Sequence, residues 1–333
     1  MWENKLFWKE KPEWLSFLKN KSIFLTGGTG FFGKNLLKCF IYLNSEMGLN
    51  IKITLLSRDG VKFKEANPEF FIECNDLIGF ASGDVRDFAF PRLNFDYIIH
   101  AATPVNPKLE AENSEDMVSI IVDGTKRVVE FANQCGARKL LLTSSGAVYG
   151  VQPPELKNIS EDYEPAPSTA YGKGKLKAEK ICTEGFQNSV IARCYAFLGP
   201  YQPLAHYAIG NFIRDGIRGD PIVINGDGRP IRSYLYSGEL VIWLLKILSK
   251  GAHGRAYNVG SELEISIKDL ACMVSDYFGG RPVHIAGKPD FDIPAPRYVP
   301  STARAKEELG LTQKLTLKES LYDTIDWHKT HLQ

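Results

Sequence analysis

Two residue types that can handle a proton together stand four apart in Tyr171-Gly172-Lys173-Gly174-Lys175, and they share a face if the segment is helical. An ammonium near a phenol favours the phenolate and lowers its pKa, which makes the tyrosine a usable base near neutrality. The same ammonium can hold a cofactor ribose. Alone, Tyr-x-x-x-Lys is more often surface helix than site. Its weight changes with Leu142-Thr143-Ser144-Ser145-Gly146-Ala147-Val148-Tyr149-Gly150, where an apolar strand ends in hydroxyls. A hydroxyl at the carboxyl end of a strand faces the ligand crevice in parallel sheets. Ser145 would then donate to a substrate oxygen while Tyr171 exchanges its proton, with Ser144 turned to the backbone.

A partner for such chemistry is legible near the start of the chain. Thr26-Gly27-Gly28-Thr29-Gly30-Phe31-Phe32-Gly33 puts glycines at 27, 30 and 33 directly after the first apolar strand and at the opening of a helix. A helix N-terminus offers unpaired N–H groups and a positive dipole end, and missing side chains let a pyrophosphate approach the backbone. Gly27, Gly30, Phe31, Phe32 and Gly33 are therefore expected to bind a dinucleotide. The second strand ends in Ser57-Arg58, where a site selective for NAD would place an acid on the ribose 2′-hydroxyl. Ser57 serves that role less well than Asp, and Arg58 can pair with a 2′-phosphate, so the cofactor reading is NAD(P) with a lean to NADP. Asp84 in Gly83-Asp84-Val85 can accept from an adenine amino group. His100-Ala101-Ala102 closes the next strand with small residues that suit a backbone passing under the cofactor.

The elements that would position these groups alternate. Apolar strands are expected at Ser22–Leu25, Ile51–Leu56, Tyr97–Ile99, Lys139–Leu142 and Val190–Ala192, separated by helical patterns such as Met117–Asn133. That alternation predicts an α/β fold with a doubly wound parallel sheet covered on both faces. Beyond about Gly199, Pro- and Gly-rich connections join short elements, read as a smaller C-terminal α/β substrate lobe. Residues 1–20 form an N-terminal extension whose Trp2, Phe7, Trp8 and Trp14 suit a short amphipathic helix packed on the body. The division expected is 1–20, about 21–198 for cofactor binding, and 199–333 mainly for substrate.

The glycine pattern, the Ser-x-x-x-Tyr-Gly strand end and Tyr-x-x-x-Lys together resemble the extended short-chain dehydrogenase/reductases, specifically the NAD-dependent epimerase/dehydratase family, over about residues 22–330. The resemblance implies a Rossmann domain, a C-terminal nucleotide-sugar lobe, a homodimer formed through the Met117–Asn133 and Tyr171–Thr183 helices, and a triad of Ser145, Tyr171 and Lys175. Its substrate is a nucleotide-diphosphate sugar. Asn211 in Asn211-Phe212 resembles the family's diphosphate contact. Arg232 in Gly226–Tyr234 and Arg297 in Pro296-Arg297-Tyr298 resemble its two diphosphate-gripping arginines, a role that suits their planar forks of donors.

The departures from the family narrow the chemistry. Its 4,6-dehydratases carry an Asp-Glu pair directly after the catalytic hydroxyl, and decarboxylation of one kind uses a Glu at the second position; this chain has Gly146-Ala147 there. Small residues resemble the 4-epimerases and 4-keto reductases, so hydride transfer at sugar C4 is the expected activity. An atypical 4,6-dehydratase is the alternative. A non-catalytic NAD(P)-sensing protein is disfavoured by the intact triad. Ile121 and Ala196 stand where the family commonly has Asn.

Bulk composition excludes other classes. Forty Lys+Arg against 39 Asp+Glu, interleaved, leave a net charge of +1 and no basic face for nucleic acid. The six cysteines are widely spaced and no His stands at metal-ligand spacing, so they read as reduced core thiols and no metal is expected. No apolar run approaches the ~20 residues of a membrane span. No signal-peptide pattern opens the chain, so a cytoplasmic location is expected.

Overall fold

The run Ser22-Ile23-Phe24-Leu25-Thr26 lacks polar alternation, and a strand of that kind needs cover on both faces. In the computed structural model, which describes residues 12–72, 75–103, 112–205 and 207–331, it forms β1, buried from Ile23 onward. Trp2, Phe7 and Trp8 of the expected amphipathic segment, and Cys74, lie outside the described residues.

Five further strands follow within the first 200 residues: β2 (Lys52–Ser57), β3 (Ile78–Ser82), β4 (Tyr97–His100), β5 (Lys139–Ser145) and β6 (Ser189–Cys194). Short strands follow at β7 (Phe197–Leu198), β8 (Ile222–Ile224), β9 (Ile231–Ser233) and β10 (Leu235–Tyr236), then β11 (Ala256–Val259), β12 (Glu264–Ser266), β13 (Val283–Ile285) and β14 (Arg297–Tyr298). The large sheet has the order β11-β6-β5-β4-β1-β2-β3, and every pairing in it is parallel. The chain runs outward from β1 through β2 to β3, then crosses back to β4 on the other side of β1. The carboxyl ends of β1 and β4 therefore flank the switch point at which such sheets bind ligands.

The helices are α1 (Phe31–Met47), α2 (Gly60–Ala66), α3 (Ser114–Gln134), α4 (Ala170–Gly185), α5 (Ala208–Arg218), α6 (Ser237–Lys250), α7 (Ile267–Tyr277), α8 (Ala303–Leu309) and α9 (Leu317–His331). One face of the sheet is covered by α1 and α6, with Leu15 and Leu18 of a short turn of helix wedged into the same core. The other face is covered by α3 and α4, where Phe24 meets the rings of Phe88, Phe95 and Phe131 at 5.5, 5.3 and 4.8 Å. Helices α5, α7 and α9 pack over β8 and β10 around a third core. Residues 237–259 belong to the large sheet's layers, since α6 covers it and β11 extends it. Asn113 caps α3 and Thr169 caps α4, each accepting from the amide three residues on, at 3.1 and 3.0 Å.

Strand β3 is harder to read than its neighbours because it lies at the sheet's edge and carries Gly79 as its second residue. Cys39, Cys135, Cys182 and Cys194 are buried thiols, and among the described residues no disulfide forms. No described helix is long and apolar enough to cross a membrane.

Beneath the end of β5 lies a buried ion pair. Glu179 of α4 takes Arg193 of β6 in a fork, at 3.0 and 2.8 Å, and accepts the Ser144 hydroxyl at 2.5 Å. Arg193 also donates to Tyr149 at 2.9 Å, and Tyr149 to Asn258 at 2.9 Å. Removing one member leaves the other charge buried alone. Glu179→Ala is expected to cost about 3–5 kcal/mol in urea unfolding, with Glu179→Ala/Arg193→Leu recovering part of the loss; an effect below about 1 kcal/mol would mean the pair is effectively solvated.

Candidate active site

The glycine turn is dictated by space as much as by conformation. Gly27 has φ +69°, and a Cβ there would lie 2.5 Å from the Ala101 carbonyl oxygen. A Cβ on Gly33 would lie 2.3 Å from the Gly28 Cα. Gly30 stands at the N-cap of α1 with no side chain closing the helix end, so the first N–H groups of α1 stay open toward the switch point. This is a cradle that side chains would fill, and it fits a dinucleotide pyrophosphate. Ala102 donates its amide to Thr26 Oγ1 at 3.1 Å, which ties the ends of β1 and β4 together. Phe31 and Phe32 are partly buried, and the Phe32 ring meets Phe197 edge-on at 5.2 Å.

At the end of β2 the Ser57 hydroxyl is turned inward and accepts from the Asp59 amide at 3.2 Å, while Asp59 caps α2 through Lys62 at 2.9 Å. Arg58 is exposed, and its charge helps hold the Asp84 carboxyl below the ordinary aspartate range. The larger cause there is Arg86, whose Nε lies 2.8 Å from Asp84 Oδ1 and whose Nη1 reaches Asp116 at 2.7 Å. Asp84 is thus already paired along one edge. The Val85 side chain is buried and packs on Gly124 of α3.

Ser145, Tyr171 and Lys175 come together where β5 and α4 meet. The close approach rests on Gly172, whose Cβ would stand 2.6 Å from the Ala147 carbonyl oxygen, and on Gly174, where a Cβ would meet Ile121 at 3.3 Å. Ile121 thereby fills space between α3 and α4. Lys175 is only 3% exposed and donates to Thr103 Oγ1 at 2.6 Å and to the Thr143 carbonyl at 2.8 Å. Burial lowers its pKa to about 8, opposed by Cys194 and Glu179. Its Nζ sits 5.9 Å from the Tyr171 ring centre.

The expected lowering of the Tyr171 pKa is not what the protein alone produces. Burial pushes the phenol up, and the hydrogen bond with Ser145 only partly offsets it. Desolvation disfavours the charged phenolate, and it is the largest cause here. Below these groups, His100 joins Thr26 Oγ1 at 2.7 Å to Thr125 Oγ1 at 3.1 Å. Burial, and then the Lys175 charge, lower its pKa to about 3, so it stays neutral.

The lobe brings only some of the expected substrate residues to this point. Pairing of β14 with β9 sets Tyr298 beside Arg232 and Arg297 beside Ile231. Arg232 is held by the carbonyls of Ile231 and Pro296, at 2.8 and 3.3 Å. Arg297 is neutralised by Glu264 and donates to the Lys157 carbonyl at 3.1 Å. Asn211 sits within α5 and accepts from Arg214 at 2.9 Å. Tyr298 and Thr103 are neighbours of the triad that sequence reasoning missed. Thr103 is a hydroxyl directly after the strand end His100-Ala101-Ala102, a signal that was available; nothing in the sequence links Tyr298 to Ser145.

The model of the NAD dependent epimerase/dehydratase family matches residues 23–260. Among curated proteins, UDP-glucuronic acid decarboxylase 1 of Arabidopsis thaliana is 27% identical over 311 residues, covering 91% of this chain and 68% of that one. The dTDP-glucose 4,6-dehydratase of Haemophilus influenzae is 24% identical, covering 92% and 97%. The chain spans about two thirds of the length of several of the decarboxylases. Among solved structures, a UDP-glucose 4-epimerase from Thermotoga maritima with UDP-glucose superposes with a TM-score of 0.79 at 21% identity, covering 94% of this chain and all of that one. A UDP-glucuronic acid 4-epimerase from Bacillus cereus, solved with NAD, gives 0.80 at 21% identity, with the same coverage.

The buried neutral His100 has a consequence for acid stability. Its folded pKa lies below the ordinary 6.5, so below pH 6.5 the unfolded chain binds a proton that the folded one refuses until about pH 3. Stability from this group is full above pH 6.5 and is lost by up to about 1.4 kcal/mol per unit as pH falls. Urea unfolding of His100→Asn between pH 7 and 4 is expected to show a shallower acid loss than the parent; equal slopes would place a charged imidazole in the fold.

Proposed function

Because the chain belongs to the NAD dependent epimerase/dehydratase family, we propose that it transfers hydride at C4 of a nucleotide-diphosphate sugar, as a 4-epimerase or a 4-keto reductase. One observation carries this choice among the family's chemistries. A Cβ on Gly146 would lie 2.6 Å from the Tyr195 ring, so the position after Ser145 has no room for an acidic side chain, and Ala147 follows it. The two positions after Ser145 therefore carry no acid or base to strip a proton from C5 or to protonate a departing hydroxyl. Names among the relatives that denote dehydratases and decarboxylases are outweighed by this local chemistry.

The bound nicotinamide would supply the hydride acceptor or donor. The chain's own residues handle the rest. Ser145 donates to the C4 oxygen, Tyr171 takes its proton when C4 is oxidised and returns one when it is reduced, and the Lys175 charge holds the ribose and supports the phenolate. Arg232 grips the diphosphate, with Arg297 and Asn211 as further contacts once rearranged from Glu264 and Arg214. The reading includes a homodimer joined through α3 and α4. It also includes NADP in preference to NAD, supported by the inward-turned Ser57, by Asp59 engaged as a helix cap, and by the exposed Arg58. Neighbours in fold carry NAD, which makes this preference the point to test.

Mass spectrometry of what the denatured protein releases, followed by NADH and NADPH titration, tests the cofactor reading. The expected result is a protein that binds NADPH about 10-fold tighter, with Arg58→Ala erasing the difference; tightly retained NAD(H) and no effect of Arg58→Ala would remove the NADP preference. Tyr171→Phe is expected to cut turnover of a UDP- or dTDP-hexose by about 10²–10⁴ with dinucleotide affinity kept, and unchanged turnover would refute its role.

A further inference from the structure

Ser145 has one proton to give, and two phenols beside it. Its Oγ already accepts the Ala147 amide at 3.1 Å. Tyr171 hydrogen-bonds to it from α4, and the Tyr298 hydroxyl lies 3.4 Å away on the other lobe. Tyr298 Oη also stands 3.5 Å from the Cys194 carbonyl, to which it can donate. Both distances are long for O–H···O contacts, so no single direction of donation is locked in.

The Tyr298 ring is nonetheless firmly held. It packs against Tyr195 with centroids 4.5 Å apart and the rings tilted by 34°. The next residue, Val299, donates its amide to Gln152 at 2.9 Å and accepts from the Ile159 amide at 3.1 Å, which ties the strand to the loop that follows the β5 turn. A phenylalanine would pack there equally well. Burying a phenol hydroxyl with only long partners is costly unless the hydroxyl has another use.

We propose that Tyr298 is a positioning residue that orients the Ser145 hydroxyl, giving it a partner in both protonation states of Tyr171. With no sugar bound and Tyr171 a phenol, it donates to Ser145, Ser145 donates to Tyr298, and Tyr298 donates to the Cys194 carbonyl; a bound sugar's C4 oxygen takes the Ser145 proton in place of Tyr298. When Tyr171 is a phenolate and no sugar is bound, the two hydroxyls rotate. Tyr298 then donates to Ser145 and Ser145 to the phenolate. No proton enters or leaves the relay except the one Tyr171 exchanges with substrate. Since β14 pairs Tyr298 with Arg232, the relay also lies next to the residue assigned to the diphosphate. This inference rests on the reading of Tyr171 as the acid–base.

The test is a ¹³C NMR titration of [¹³Cζ]tyrosine-labelled protein loaded with NAD⁺, with the Tyr171 signal assigned by its loss in Tyr171→Phe. Tyr298→Phe keeps the ring and its contact with Tyr195, and its melting temperature is expected to match the parent's. The Tyr171 midpoint is expected to rise by about half a pH unit or more, roughly a threefold loss of phenolate. In a Ser145→Ala background the same substitution is expected to change nothing, because the effect passes through Ser145. A midpoint indifferent to Tyr298→Phe, or a shift that persists without Ser145, overturns the relay and leaves Tyr171's role intact. A Tyr171 that stays fully protonated to pH 11 in the NAD⁺-loaded parent overturns both.

Discussion

A buried ammonium organises this site. Lys175 has almost no contact with water, so its three protons must find acceptors within the protein, and the ones it finds are at the ends of two strands: the Thr143 carbonyl in β5 and the Thr103 hydroxyl just past β4. That requirement fixes α4 against the sheet, and α4 carries Tyr171 one turn earlier. Glycines at 172 and 174 are the sequence's answer to the closeness this demands, since a side chain at either would press on the β5 turn or on α3. The ion pair of Glu179 with Arg193, one turn further along α4, holds the same helix from the other end and gives Ser144 its partner. Ser145 is thereby left as the hydroxyl that faces the crevice.

The second constraint is a ring in place of an acid. Tyr195 lies so close to Gly146 that a side chain on the residue after Ser145 would collide with its ring, and Tyr298 meets that ring at a tilt. Among the described residues, the neighbours of Ser145 are therefore phenols and a glycine. The proposed chemistry uses what a serine, tyrosines and a lysine can do, which is to move a proton on and off an oxygen. Burial in the protein alone favours the protonated Tyr171; a cationic nicotinamide bound nearby would favour the phenolate.

Much of this was legible in the sequence because it depends on local spacing. The strand–glycine turn–helix at Thr26–Gly33 and the Tyr171/Lys175 pair are both short-range patterns, and the strands at β1, β2, β5 and β6 announce themselves as continuous apolar runs. What was hidden depends on contacts between distant segments. Tyr298 reaches Ser145 only because β14 joins β9, and both are too short to carry a period. The pairing of Arg297 with Glu264, and of Arg86 with Asp116, likewise belongs to tertiary structure. The pKa of Tyr171 is the instructive case: spacing predicted a neighbouring positive charge, but burial, which sequence spacing does not measure, sets the direction.

The claim that ties these parts together is that the site works only at C4. Turnover of UDP- and dTDP-hexoses, hexuronates and 4-keto-6-deoxyhexoses by the dinucleotide-loaded protein in deuterium oxide reads it most directly, because dehydration across C5 and C6 and decarboxylation at C5 each leave solvent deuterium at C5. The account predicts a product changed at C4 and free of carbon-bound deuterium. Deuterium at C5 would contradict it, and would mean that an acid or base reaches the sugar from somewhere other than the residues after Ser145.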